Sequence, residues 1–135
     1  MPATTRVTIP VLVVTAMAVP ILPACGTEPV ECLAVPAATV TAIADGGEPV
    51  PLVVQESTAY HAESGNYWVA LRVARDDGDR TGVWVVDNLE QPDTIMAADT
   101  AAEMMAEWPI ISDGDKKPDN LVGGDPYRLA TDCLR

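Results

Sequence analysis

The chain has no phenylalanine, one histidine, two lysines and three cysteines among its 135 residues. Each shortage excludes something. Eight Lys plus Arg stand against 20 Asp plus Glu, a formal charge of −12. Basic clusters that would displace counterions from phosphates are therefore missing, and nucleic acid is not expected as a partner. The same imbalance argues against electrostatic docking on an anionic membrane. Without Phe, tryptophan and methionine must supply the large core groups. There is no CxxC, no phosphate-cradling glycine loop and no dinucleotide fingerprint, so no cofactor is implied. The length suffices for one domain with a modest core and is too short for two.

What is present begins with an address. Arg6 is the one basic side chain ahead of an uncharged run from Val7 to Ala24. A basic start, an apolar stretch and a small residue before a possible cut form the pattern of a secretory signal peptide. The run is also long enough to rival a membrane span, which needs ~17–25 residues. Pro10, Pro20 and Pro23 count against that reading, since each removes a backbone donor and disturbs a helix.

Leu22-Pro23-Ala24-Cys25 follows directly. It resembles the lipobox of bacterial lipoproteins, with Leu22, Ala24 and Cys25 in the expected places and Pro23 where a small residue is usual. The resemblance implies that the Cys25 thiolate takes a diacylglyceryl group as a thioether and becomes the first residue of the mature chain. Leu22 would also be a poor residue for ordinary A-x-A cleavage. A lipid on Cys25 leaves Cys32 and Cys133 as a pair in an oxidising compartment, which implies a disulfide between them. Two cysteines and a distant His61 lack the spacing of a zinc site, and no metal is expected. The expected organisation is a signal peptide over 1–24, a lipidated tether over 25–36 and one extracytoplasmic domain over 37–135, held on the outer face of the cell membrane.

Within that domain, Thr39 to Ile43 alternates polar and apolar and predicts a strand, closed by a turn at Asp45-Gly46-Gly47-Glu48. Val50 to Gln55 predicts a second strand, and Ser57 to Gly65 a polar connection. Asn66 to Ala74 is the clearest strand. It places Tyr67, Val69, Leu71 and Val73 on one face and Trp68, Ala70 and Arg72 on the other. A polar turn over 75–82 and a return over Val83 to Leu89 make a β-hairpin. Both faces of these strands are apolar, so they are expected at the centre of the sheet with a helix over one side. Asp99 to Trp108 predicts that helix, with Thr100 and Glu103 as a capping box and Ala101, Met104, Met105 and Trp108 as its apolar stripe. Ile95 to Ala97 fits either its first turn or a short strand. The expected fold class is α+β: an antiparallel sheet of about four strands, packed by one C-terminal helix and stapled by a disulfide. Arg-rich, Ala- and Val-rich composition points to a high-G+C genome. The layout resembles small lipoproteins of high-G+C Gram-positive bacteria, a likeness that brings no activity with it.

Candidate chemistry is sparse. A calcium loop beginning at Asp77 would have Asp79 and Gly82 in place, but Asn88 at its last position instead of a bidentate Glu. One beginning at Asp113 fails at Lys117, Pro118 and Gly124. Asp and Gly serving turns account for both. Ser57, His61, Glu63 and Ser64 could contribute to a divergent lipid-anchored hydrolase, yet none sits in a nucleophile elbow. Asp76, Asp77 and Asp79 lie on a hairpin tip, whereas glycosidase carboxylates face each other across a cleft. Tyr67, Trp68 and Trp84 would suit a glycan or a peptide if exposed, and core packing if buried. The reading that remains is a non-enzymatic, membrane-anchored protein that binds an envelope protein or a glycan.

Overall fold

A computed structural model describes residues 30–111 and 125–134. Its elements in chain order are α1 (Ala37–Ala44), β1 (Val53–His61), β2 (Tyr67–Ala74), β3 (Arg80–Val86), β4 (Ile95–Ala97), α2 (Thr100–Met105) and α3 (Asp125–Asp132). The four strands form one antiparallel sheet in the order β1-β2-β3-β4. The fold is therefore α+β, as the pattern of strands and helix implied.

The hairpin β2–β3 is present, but its return strand runs over Arg80–Val86, not Val83 to Leu89, because the turn is shorter than the polar run 75–82; Val69 lies opposite Trp84 and Leu71 opposite Gly82. Its turn uses Gly78 at φ +117°, a left-handed conformation that only glycine adopts without strain. Side chains alternate as expected, but both faces are covered instead of one. Val69, Leu71, Val73, Trp84 and Val86 point toward α1 and α2, while Trp68, Ala70, Val83 and Val85 pack beneath α3. Trp68 and Trp84 are almost completely buried, so they fill the core that Phe would otherwise fill.

Several local expectations are corrected. Thr39 to Ile43 is helical, not a strand. Five residues cannot separate a period of 2 from one of 3.6, and the alanines on either side favour a helix. Pro36 stands at the N-cap of α1, where its missing donor costs nothing, and Thr39 and Ile43 share the buried face. Of the expected connection 57–65, residues 57–61 are the second half of β1, which starts at Val53 rather than Val50. Thr58 and Ala59 are buried there, and only 62–66 turns.

The helix over 99–108 is shorter and capped one residue earlier. Asp99, not Thr100, accepts from the Ala102 N–H at 2.7 Å. This start turns Ala102 and Met105 inward and leaves Met104 71% exposed. The helix ends because Ala106 bridges Gly47 and the Glu107 N–H donates to the Gly46 carbonyl. Ile95 to Ala97 is a strand, and its free edge is closed by Pro109 and Ile111. The tail supplies α3, a helix whose inward residues, Tyr127 and Ala130, with Leu134 just beyond its end, are too few to give a readable period.

Cys32 and Cys133 are joined by a disulfide across 101 residues. Such bridges persist in oxidising compartments. Leu33, placed in the expected tether, already belongs to the fold: it exchanges both backbone hydrogen bonds with Ala59, at 2.8 and 3.0 Å. Among the described residues no helix is long and apolar enough to cross a membrane.

Candidate interaction surface

Two chain segments meet where β1 begins and β2 ends. Glu48 to Val53 approaches Val73 to Asp77 because the register pairs Val53 with Ala74. Between them lies an open groove of about 500 Å³. Its mouth carries the two most exposed valines of the described residues, Val50 at 66% and Val53 at 64%. Pro49 and Pro51 hold the first of these outward on a stiff segment, since a proline fixes its own φ and restricts the residue before it.

The rim is charged. Glu48, Asp76 and Asp77 face Arg75 around the groove. Asp77 is engaged by Arg80, whose guanidinium hydrogen-bonds its carboxyl and holds it below the ordinary carboxylate range. Glu48 and Asp76 have no cationic partner among the described residues. The groove thus presents apolar area beside a rim of three carboxylates and one guanidinium, with Glu48 and Asp76 in no ion pair among the described residues. No aromatic ring lines it. A shallower hollow of about 360 Å³ runs between α1 and the edge of β1, lined by Val35, Val40, Val54 and Ser57.

The residues considered for catalysis are not brought together. Ser57 and His61 lie four steps apart on β1, about 13 Å at ~3.3 Å per residue, far beyond hydrogen-bond reach. His61 is exposed and stacks on Tyr67 with ring centroids 4.4 Å apart. Glu63 and Ser64 occupy the turn beyond it. Asp76, Asp77 and Asp79 remain on the hairpin tip, and Val83 to Val86 belongs to β3, which is incompatible with a calcium loop starting at Asp77. The second candidate calcium segment, Asp113 to Gly124, lies outside the described residues, as does Cys25. Among the described residues no three His, Cys, Asp or Glu side chains gather where a metal could sit.

Carboxylates elsewhere serve the backbone. Asp87 accepts from the Thr94 and Asp93 N–H groups at 3.0 Å each, and these bonds, Thr94's foremost, hold its carboxyl below the ordinary range. Buried Asp99 caps α2 and accepts from the Tyr127 hydroxyl at 3.0 Å. Partial burial first, and then the Asp99 charge, push Tyr127 up to about 12. The sequence did not reveal the groove, because its two walls are some twenty residues apart; Pro49-Val50-Pro51, read as a strand start, was the one available signal. No family model matches the chain, and no curated protein or solved structure matches it.

Proposed function

We propose that the protein is a lipid-anchored extracytoplasmic binding protein, held through Cys25, whose groove takes a protein segment carrying an apolar side chain beside Lys or Arg. The observation that carries this reading is the exposure of Val50 and Val53 next to Glu48 and Asp76, carboxylates in no ion pair among the described residues. Apolar burial supplies affinity at ~25 cal/mol per Å², and the unpaired carboxylates select a cationic partner. A glycan is the weaker ligand, since Trp68 and Trp84 are buried and the groove offers no ring for a sugar to stack on. The anchor is supported by Leu22-Pro23-Ala24-Cys25 after an uncharged run, and by a disulfide that uses the other two cysteines.

Two measurements test the two halves. Cys25→Ser is expected to release the protein from membranes or leave it as an uncleaved precursor, while Cys32→Ser keeps its membrane attachment. A Cys25→Ser protein that stays membrane-bound with a correctly cut N-terminus overturns the anchor. A photo-cross-linker placed at Val53 of the full chain is expected to capture, in intact cells, a peptide with Lys or Arg beside an apolar residue. An adduct bearing sugar or lipid, or none at all, overturns the ligand class.

A further inference from the structure

We infer that the anchored domain stands with its β1–β2 turn toward the bilayer and its groove facing away from it, an inference that rests on the lipid-anchor reading. The direction of the chain decides this. Leu33 pairs antiparallel with Ala59, so the residues before Leu33 run on toward His61 and the 62–66 turn. The Cys32–Cys133 disulfide fixes the chain at that end. The groove lies at the opposite end, at Val53 and at Val73 to Asp77. From Val53 to His61 is eight residue steps, about 26 Å at ~3.3 Å per step.

The leash is short by comparison. Cys25 and Cys32 are seven steps apart, so full extension reaches ~25 Å. A flexible chain of that length has an end-to-end distance of about 15 Å. Turning the groove toward the lipid would require the leash to span the whole sheet at its extreme extension, giving up nearly all its conformational freedom. Charge does not choose between the two ends. Glu31 and Glu63 lie at one; at the other, Glu48, Asp76, Asp77 and Asp79 outnumber Arg75 and Arg80, and an anionic leaflet repels both. Repulsion beyond a screening length of about 8 Å is weak in any case. The leash length therefore sets the orientation. It opens the groove to partner segments standing off the bilayer and denies it to segments lying on the lipid surface.

The test uses the full, lipidated protein in phosphatidylcholine vesicles with an acceptor dye on the headgroups. A genetically encoded fluorophore is placed at Glu63 or at Asp79, both exposed. Transfer is expected to be severalfold stronger from position 63. Inserting about 20 Gly and Ser residues after Gly26 is expected to shrink that difference, because the leash then outgrows the sheet. Vesicles that float with the protein but give equal transfer from both positions, or stronger transfer from 79, overturn the orientation. Protein that does not float with the vesicles overturns the anchor itself.

Discussion

The two faces of the sheet are closed by different means. Over Leu71 and Trp84, α1 and α2 are knit to each other: Ala106 bridges Gly47, Glu107 donates to Gly46, and the Trp108 indole donates to the Ile43 carbonyl at 2.9 Å. Trp108 lies so close over Gly46 that a Cβ there would collide with its indole ring. Over Trp68, α3 is held by three separate ties. These are the disulfide, the Arg72 guanidinium to the Leu134 carbonyl at 2.7 Å, and the Tyr127 hydroxyl to Asp99. One cover is two segments bonded to each other; the other is a single helix that packs through Tyr127 and Ala130 and is fastened by those ties. A fastened cover can be undone without dismantling the sheet.

The largest effect is expected from emptying the first face. Trp84→Ala should cost ~3–5 kcal/mol in equilibrium denaturation, since its surroundings are interlocked and cannot collapse into the space. Trp68→Ala is expected to cost less within the same range, because α3 can settle inward. A larger loss at Trp68 than at Trp84 would invert the comparison.

Cutting the staple comes next. Replacing both Cys32 and Cys133 by Ser is expected to cost ~2–4 kcal/mol, below the ~4.7 kcal/mol that chain entropy assigns to a loop of ~100 residues. Hydrogen exchange should then show α3 opening while the amides of β2, β3 and α2 stay protected. Uniform loss of protection would mean that both covers belong to one cooperative unit.

The smallest effect isolates the Tyr127–Asp99 tie. Asp99→Ala should cost about 1 kcal/mol through the lost cap, whereas Asp99→Asn keeps the cap. Both should lower the Tyr127 pKa from about 12 toward its ordinary 10. Folding favours the uncharged phenol, so its contribution is complete below pH 10 and is lost as pH rises through about 12. Ultraviolet titration of the phenolate, with Tyr60 and Tyr67 replaced by Phe, reads this directly. An unmoved Tyr127 in Asp99→Asn would leave burial as the whole cause.

How far the sequence was legible depended on how local each determinant is. Tyr67 to Val86 could be read because apolar alternation on both faces and a glycine turn are properties of neighbouring residues. Thr39 to Ile43 is too short a stretch to separate the two periodicities, and only its packing makes it helical. Ser57 to His61 looked like a loop, since an edge strand carries polar side chains and is held in place by partners elsewhere, Leu33 and Leu71. The groove was invisible for the same reason, as neither of its walls means anything without the other.

By itself, then, the sequence determined the central hairpin, the pairing left to Cys32 and Cys133 once Cys25 is set aside, and a formal charge of −12. Each follows from residue types, their counts or their nearest spacing. The tertiary structure alone decided that Trp68 and Trp84 lie under separate covers, that Asp99 joins α2 to α3, and that Val50 and Val53 open beside Asp76 at the end of the sheet away from Cys32. Those outcomes depend on strand register and chain direction, which bring together residues that no local pattern connects.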